Sequence, residues 1–235
     1  MSDEPRKVLI TGAAGRIGRS VAPQLPHAWE LRLTDLQESD GVSALDVTDL
    51  DACREAFAGL DAVVHLAGNP SPTATFEELL TPNIVGAYTV ARAAADCGVR
   101  RLVVASSIHA MSGTEDVVQV RSADRPRPGN LYGATKAWVE ALGAWIAASS
   151  DTTVVALRIG YFLEDFSGSE AAHVAHRTAW LSSRDATDLV RAAVVAEDVS
   201  FFVGYGISAH EHRRADLADT IERLGYRPQD DAWRG

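Results

Sequence analysis

The sequence predicts an α/β fold: a doubly wound parallel sheet covered by helices on both faces, with a small C-terminal addition. Three observations predict it. Short β-branched apolar runs alternate with stretches of helical spacing from residue 7 to residue 157, the pattern of strands buried on both sides. A Gly-x-x-Gly-x-x-Gly run, Gly12 to Gly18, falls between the first strand and the first helix. An acidic residue, Asp35, closes the second strand twenty positions after Gly15.

The elements follow in order. Lys7–Thr11 is an apolar run ending at glycines, and Ile17–Leu25 keeps helical spacing until Pro26. Glu30–Thr34 alternates as a second strand, and Val42–Leu45 makes a short third one. Asp49–Ala58 reads as a helix capped by Asp49 or Thr48, and Ala62–Leu66 as a fourth strand. Phe76–Leu80 and Ile84–Cys97 form a helical region that ends at Gly98, before the fifth strand, Arg101–Ala105. Arg125–Pro128 reads as a loop, Tyr132–Ala148 as a long Ala-rich helix and Thr153–Leu157 as a sixth strand. Beyond Arg158 the rhythm weakens. Tyr161–Arg177 has no clean period and reads as a mobile, substrate-side segment; Asp185–Ala196 then predicts a helix, Phe201–Tyr205 a strand and Ala215–Leu224 a helix stopped by Gly225. The expected division is therefore 1–160 for the core with its catalytic residues and 161–235 for a small segment packed on it.

Composition excludes several classes of function. With 235 residues, 46% hydrophobic and 23% charged, the chain has the makeup of an ordinary globular domain with one sizeable core. Its net charge of −10 opposes binding to a nucleic-acid backbone, which needs a cationic surface. No apolar run approaches the roughly 20 residues of a membrane span. The acidic start Met1-Ser2-Asp3-Glu4 lacks the basic and apolar regions of a secretory signal, so a cytoplasmic protein is expected. Cys53 and Cys97 lie in helical patterns without metal-type spacing and are expected to be reduced.

The glycine run carries the first chemical prediction. Gly12, Gly15 and Gly18 allow a tight turn and close backbone approach, while the helix start offers free N–H groups to a pyrophosphate. At the end of the second strand, the Asp35 carboxylate is placed to accept hydrogen bonds from an adenosine ribose diol. Leu36 and Gln37 bring no cation to neutralise a 2′-phosphate, although Arg16 and Arg32 lie near in sequence. NAD is the expected cofactor.

The second prediction comes from Tyr132 and Lys136, at i and i+4 on one helical face. A nearby ammonium favours a phenolate, so Tyr132 is expected to titrate below its ordinary value of about 10 and to act as a base. Ser106 and Ser107 end the fifth strand, where a hydroxyl can hold a substrate oxygen beside the phenol.

Taken together, the glycine run, His65-Leu66-Ala67-Gly68, Asn83-Ile84-Val85-Gly86, Ser106-Ser107 and Tyr132-xxx-Lys136 resemble the extended short-chain dehydrogenase/reductase family, of Rossmann type. The resemblance implies a proton relay of Tyr132, Lys136 and Ser107 supported by Asn83. It also implies a cofactor lying along Gly12, Gly15, Arg16, Ile17, Gly18, Leu66, Ala67 and Gly68, with Asp46 and Val47 beside the adenine. Within the family the chain is similar to uronate dehydrogenases and haloarchaeal NAD-dependent glucose-6-phosphate dehydrogenases. That similarity rests on Ser106-Ser107-Ile108-His109, Asn130-Leu131-Tyr132-Gly133, Ala179-Trp180-Leu181-Ser182 with Arg184-Asp185, Tyr205-Gly206-Ile207-Ser208 and Leu224-Gly225-Tyr226-Arg227-Pro228-Gln229-Asp230. Two positions that face the sugar in those relatives differ here. Ile108 stands where they carry Asn, and Tyr161 where uronate dehydrogenases have a short polar residue.

The implied activity is NAD-dependent oxidation of a sugar C1 hydroxyl to a lactone, with Ser71, His109 and Arg177 as candidates for the substrate's hydroxyl or anionic groups. One alternative is a nucleotide-sugar epimerase or dehydratase, against which stand the 75 residues after Gly160, few for a nucleotide-diphosphate domain. The other is a cofactor sensor without chemistry, a role in which the Tyr–Lys pair is commonly lost. His173-xx-His176 and His210-x-His212 could in principle ligate zinc, but without a third ligand they read as solvated loop histidines. Trp138 and Trp145 share a face of the long helix, which suits core or subunit packing. A homo-oligomer is expected.

Overall fold

In the computed structural model, residues 4–115, 118–163 and 177–233 are described. Seven strands form one sheet: β1 (Lys7–Thr11), β2 (Glu30–Asp35), β3 (Ser43–Ala44), β4 (Ala62–His65), β5 (Arg101–Ser107), β6 (Thr153–Ile159) and β9 (Phe201–Gly206). Their order is β3-β2-β1-β4-β5-β6-β9, and every neighbouring pair is parallel. Alternate residues of a strand leave opposite faces, and the two cores follow that rule. Val8 and Ile10 join Val21 of α1 (Arg16–Val21) and Leu189 and Val190 of α6 (Ser183–Val195). Leu9, Val63 and Leu102 join Phe57 of α2 (Leu50–Phe57), Val90 of α4 (Gly86–Asp96) and Ile146 of α5 (Leu131–Ser149).

The doubly wound sheet is as the sequence predicts, and the strand order turns back between β1 and β4. That switch opens a crevice at the carboxyl ends of the strands, the standard ligand position of such sheets. Asp49 supplies the cap of α2, accepting from the N–H groups of Asp51 and Ala52, both at 3.0 Å.

Several boundaries differ from expectation for identifiable reasons. The first helix narrows to a 3₁₀ turn at Ala22–Gln24, which contains Pro23. The region between residues 76 and 97 is not one helix: α3 (Phe76–Leu79) passes through a π turn, Leu80–Val85, into α4. Pro82 lies in that turn, and proline lacks the N–H and crowds the carbonyl that a tighter helix requires. The predicted helix from Ala215 starts only at Ala218 as α7 (Ala218–Leu224), because Ala215 bridges Val120 as an extended residue. Tyr161 and Phe162 form β7 and pair with β8 (Trp180–Leu181), so this start of the supposed mobile segment is ordered strand; residues 164–176 lie outside the described residues.

Among the described residues, no helix is long and apolar enough to cross a membrane. Cys53 and Cys97 are both free. Trp138 packs partly buried against the core, while Trp145 is half exposed.

Candidate active site

A cleft of about 460 Å³ opens at the switch point. One end is walled by Gly12, Gly15, Arg16, Ile17 and Gly18, the middle by Leu66, Gly68 and Lys136, and the far end by Ser107, His109, Tyr132 and Tyr161. The glycine loop has the shape the sequence implies. Gly12 has φ +71°, and a Cβ there would lie 2.5 Å from the Ala67 nitrogen, so only glycine keeps the loop against β4. At Gly18 a Cβ would meet the Gly12 carbonyl at 2.5 Å.

Asp35 sits beside this loop. One oxygen accepts from the Ala14 N–H at 3.0 Å and the other from the Leu36 N–H at 2.8 Å, leaving lone pairs on both for further donors. An NAD pyrophosphate fits the glycine loop and the open N–H groups at the start of α1, and its ribose diol fits the Asp35 carboxylate.

The reactive end is built from β5, α5 and the turn after β5. Asn130 caps α5 by accepting from the Gly133 N–H at 2.7 Å, and the first turn then presents Tyr132, with Lys136 one turn on. Lys136 is buried, donates from Nζ to the Ala105 carbonyl at 2.7 Å and lies over the Tyr132 ring, 5.6 Å from its centre. Ser107 lines the cleft beside Tyr132 and accepts from the His109 N–H at 3.2 Å. His109 meets Tyr132 edge to face at 5.5 Å and Tyr161 at 6.2 Å. With its amide oxygen committed to Gly133, Asn130 donates from Nδ2 to His109 Nδ1 at 3.0 Å. The neutral ring therefore carries its proton on Nε2, and burial pushes His109 below the usual histidine range.

The electrostatics correct one expectation. Burial raises the Tyr132 phenol above its ordinary value, while the Ser107 hydrogen bond and the Arg16 charge draw it back down. Desolvation brings the Lys136 ammonium itself down to about 8, and one of its N–H groups is committed to Ala105.

Other predicted residues lie behind the cleft or outside it. Asn83, set just after Pro82 in the π turn, is buried; its oxygen accepts from the Asn69 N–H at 2.7 Å, and its amide donates to the Asn69 carbonyl and to Thr135 Oγ1. It thus clamps the loop after Gly68 to α5. Ala67 donates its N–H to Thr11 Oγ1 at 3.4 Å. Asp46 accepts from the N–H and hydroxyl of Thr48, which hold its carboxyl below the usual range. Val47 lies against Gly86, leaving 2.9 Å to a Cβ there. Ser71 bonds Thr73, and Ile108 packs on the core below the cleft. Arg177 stacks on Trp233, 5.2 Å from the ring centre, and donates to the Ala232 carbonyl. Sequence reasoning missed Asn69, Pro70, Pro72, Phe162 and Leu163 in the lining; the prolines of Asn69–Pro72 were the available signal.

The histidine pairs divide. His173 and His176 lie outside the described residues. His210 is buried, 5% exposed, rather than solvated, while His212 meets Trp233 edge to face. Among the described residues, no three His, Cys, Asp or Glu side chains gather as a metal site.

A phenol and an ammonium on one helical turn, facing a serine across the mouth of a glycine-lined switch-point cleft, mark a dinucleotide-dependent α/β enzyme. The chain belongs to the NAD dependent epimerase/dehydratase family, whose model matches residues 8–184. It is 36% identical over 248 residues to an L-arabinose 1-dehydrogenase (NAD(P)(+)) of Haloferax volcanii, covering 96% of this chain and 97% of the relative. It is 34% identical over 253 residues to an NAD-dependent glucose-6-phosphate dehydrogenase of the same organism, covering 98% and 95%. The crystal structure of uronate dehydrogenase from Agrobacterium tumefaciens superposes with a TM-score of 0.87 at 30% identity, covering 97% of this chain and 86% of that one.

Proposed function

We propose that the protein oxidises the C1 hydroxyl of a cyclic sugar to a lactone with NAD. The observation that carries this reading is the gathering of Ser107, Tyr132 and Lys136 in a cleft whose other end is the glycine loop. It is supported by relatives that act at sugars: the arabinose, glucose-6-phosphate and uronate dehydrogenases.

Bound NAD supplies the acceptor for the hydride that leaves C1. Ser107 Oγ donates to the C1 oxygen and orients it, and Tyr132 Oη, as the phenolate, takes the hydroxyl proton. Lys136, anchored on the Ala105 carbonyl, offers its remaining N–H groups to the nicotinamide ribose and its charge to the phenolate. Asn83 keeps the loop after Gly68 in place, and Asp46 and Val47 are assigned the adenine end. His109 offers its Nε2 proton to a sugar hydroxyl. Tyr161, Phe162 and Leu163, at the start of the C-terminal segment, form the substrate wall, while Ser71 and Arg177 are assigned to the approach to that wall.

The exposed Trp145 on α5 supports a homo-oligomer built through that helix, which sedimentation of wild type and Trp145→Glu would test. The two free thiols and the use of NAD suit the cytoplasm; recovery of the protein outside the reducing compartment on cell fractionation would contradict it.

The deciding experiment follows NADH absorbance over a panel of uronates, aldoses and their phosphates, with NAD and with NADP. Net reduction of NAD by at least one sugar, abolished in Tyr132→Phe, is expected. Turnover confined to secondary alcohols away from C1, or full activity in Tyr132→Phe, overturns the reading. A redox-neutral epimerase would convert sugar without accumulating NADH.

A further inference from the structure

Behind the reactive trio lies a buried charged cluster, reached from the cleft lining through Ser106. Glu140 stands one turn after Lys136 on α5, and Arg158 is the penultimate residue of β6; their side chains are 6% and 2% exposed. Arg158 holds Glu140 in a two-pronged ion pair, Nε to Oε1 at 2.8 Å and Nη2 to Oε2 at 2.9 Å. Ser106, the neighbour of Ser107 on β5, donates to the same Glu140 at 2.6 Å. Tyr205 on β9 receives Arg158 Nη1 at 2.9 Å, with the guanidinium 5.2 Å from its ring centre. The carbonyls of Arg121 and Asp124, in the loop that leads to α5, take the last two N–H groups. All five guanidinium donors are thereby used.

A buried ion pair is weak evidence for stability, because apolar residues of similar volume serve a core at least as well. Its value lies in fixing geometry. This one joins the four pieces whose relative position decides whether the reactive groups meet: the end of β5, the face of α5 that carries Tyr132 and Lys136, the end of β6, and the loop before α5. A slide of α5 by a fraction of a turn would separate the phenol from Ser107 and would also break the Glu140 pair.

We propose that Ser106, Glu140, Arg158 and Tyr205 are positioning residues, a buried brace that holds Tyr132 and Lys136 in register with Ser107. The proposal rests on the reading of Tyr132 as the base, and the controls keep the two apart.

The test uses single substitutions in the full chain: Ser106→Ala, Ser106→Thr, Glu140→Gln and Tyr205→Phe, each assayed well below its own Tm with folding checked by circular dichroism. Positioning predicts that Glu140→Gln loses at least tenfold in kcat with KM for NAD and sugar within twofold. Ser106→Ala and Tyr205→Phe, which each remove one hydrogen bond, should lose about threefold. All three should move the rise of kcat/KM to higher pH, since a displaced Ser107 no longer favours the phenolate. Ser106→Thr, which keeps the hydroxyl, should restore both readouts. Should Glu140→Gln fail to fold, the other variants still decide. Folded variants with wild-type kcat and an unmoved pH profile, altered only in Tm, overturn the brace while leaving Tyr132 as base. Full activity in a parallel Tyr132→Phe overturns the base itself.

Discussion

Acidification should destabilise this protein through one histidine beneath the cleft. His65 ends β4, is 4% exposed, and bonds through Nδ1 to Thr11 Oγ1 at 2.8 Å. Burial, with a smaller push from the Lys136 charge, depresses it to about 3, while the unfolded chain protonates it near 6.5. Because the folded value lies below the unfolded one, the contribution is complete above about pH 6.5 and is lost as pH falls from there toward 3. The slope is about 1.4 kcal/mol per pH unit, so between pH 7 and pH 5 the loss from His65 is about 2 kcal/mol. Urea unfolding between pH 7 and pH 5, followed by tryptophan fluorescence, measures it in wild type and in His65→Asn. The variant starts less stable but should show a slope shallower by about that amount. His109 and His210, also depressed by burial, contribute to both proteins and cancel in the comparison. Equal slopes would refute the reasoning, since they would mean that His65 takes up its proton in the folded state without penalty.

Three further outcomes follow from the site. Gly12→Ala forces a side chain into a positive-φ position and against the Ala67 nitrogen; NAD affinity measured by calorimetry should fall at least tenfold, and Tm should drop, from about 1–2 kcal/mol of backbone strain alone. Asp35→Ala removes a charged acceptor worth about 1.5–3 kcal/mol, so the Kd for NAD should rise at least tenfold while that for NADP changes less; equal losses would refute the ribose role. Since burial holds Tyr132 above its ordinary value, kcat/KM, which reports the free enzyme, should still be climbing at pH 9. Arg16→Gln removes a charge that favours the phenolate and should carry that climb to higher pH.

The sheet and the cofactor loop were legible because their signals are local. A strand such as Lys7–Thr11 and a turn that tolerates only glycine announce themselves within a few residues. The clamp on Asn69 was half legible: Asn83 stood out, but its inward aim depends on the π turn that Pro82 imposes, and a period-based reading runs straight through it. Ala215 looked helical by spacing yet pairs with Val120, 95 residues earlier, a contact no local pattern encodes. His210 appeared to be a loop residue, and only the packing around it shows it buried.

The Glu140–Arg158 pair marks the boundary between what could and could not be seen. A carboxylate in the Ala-rich α5 and an arginine near the end of the largely buried β6 are each too costly to bury alone, so each implies an opposite charge nearby; spacing does not say that they are partners. The same limit explains the error over Tyr132. The i, i+4 spacing places an ammonium by the phenol, and nearness alone suggests an easier deprotonation. Spacing does not report that both groups leave water together. Desolvation penalises phenolate and ammonium alike, and here it raises one and lowers the other. In the free protein the Tyr132 phenol therefore rests protonated, with Ser107 and the Arg16 guanidinium opposing the effect of burial.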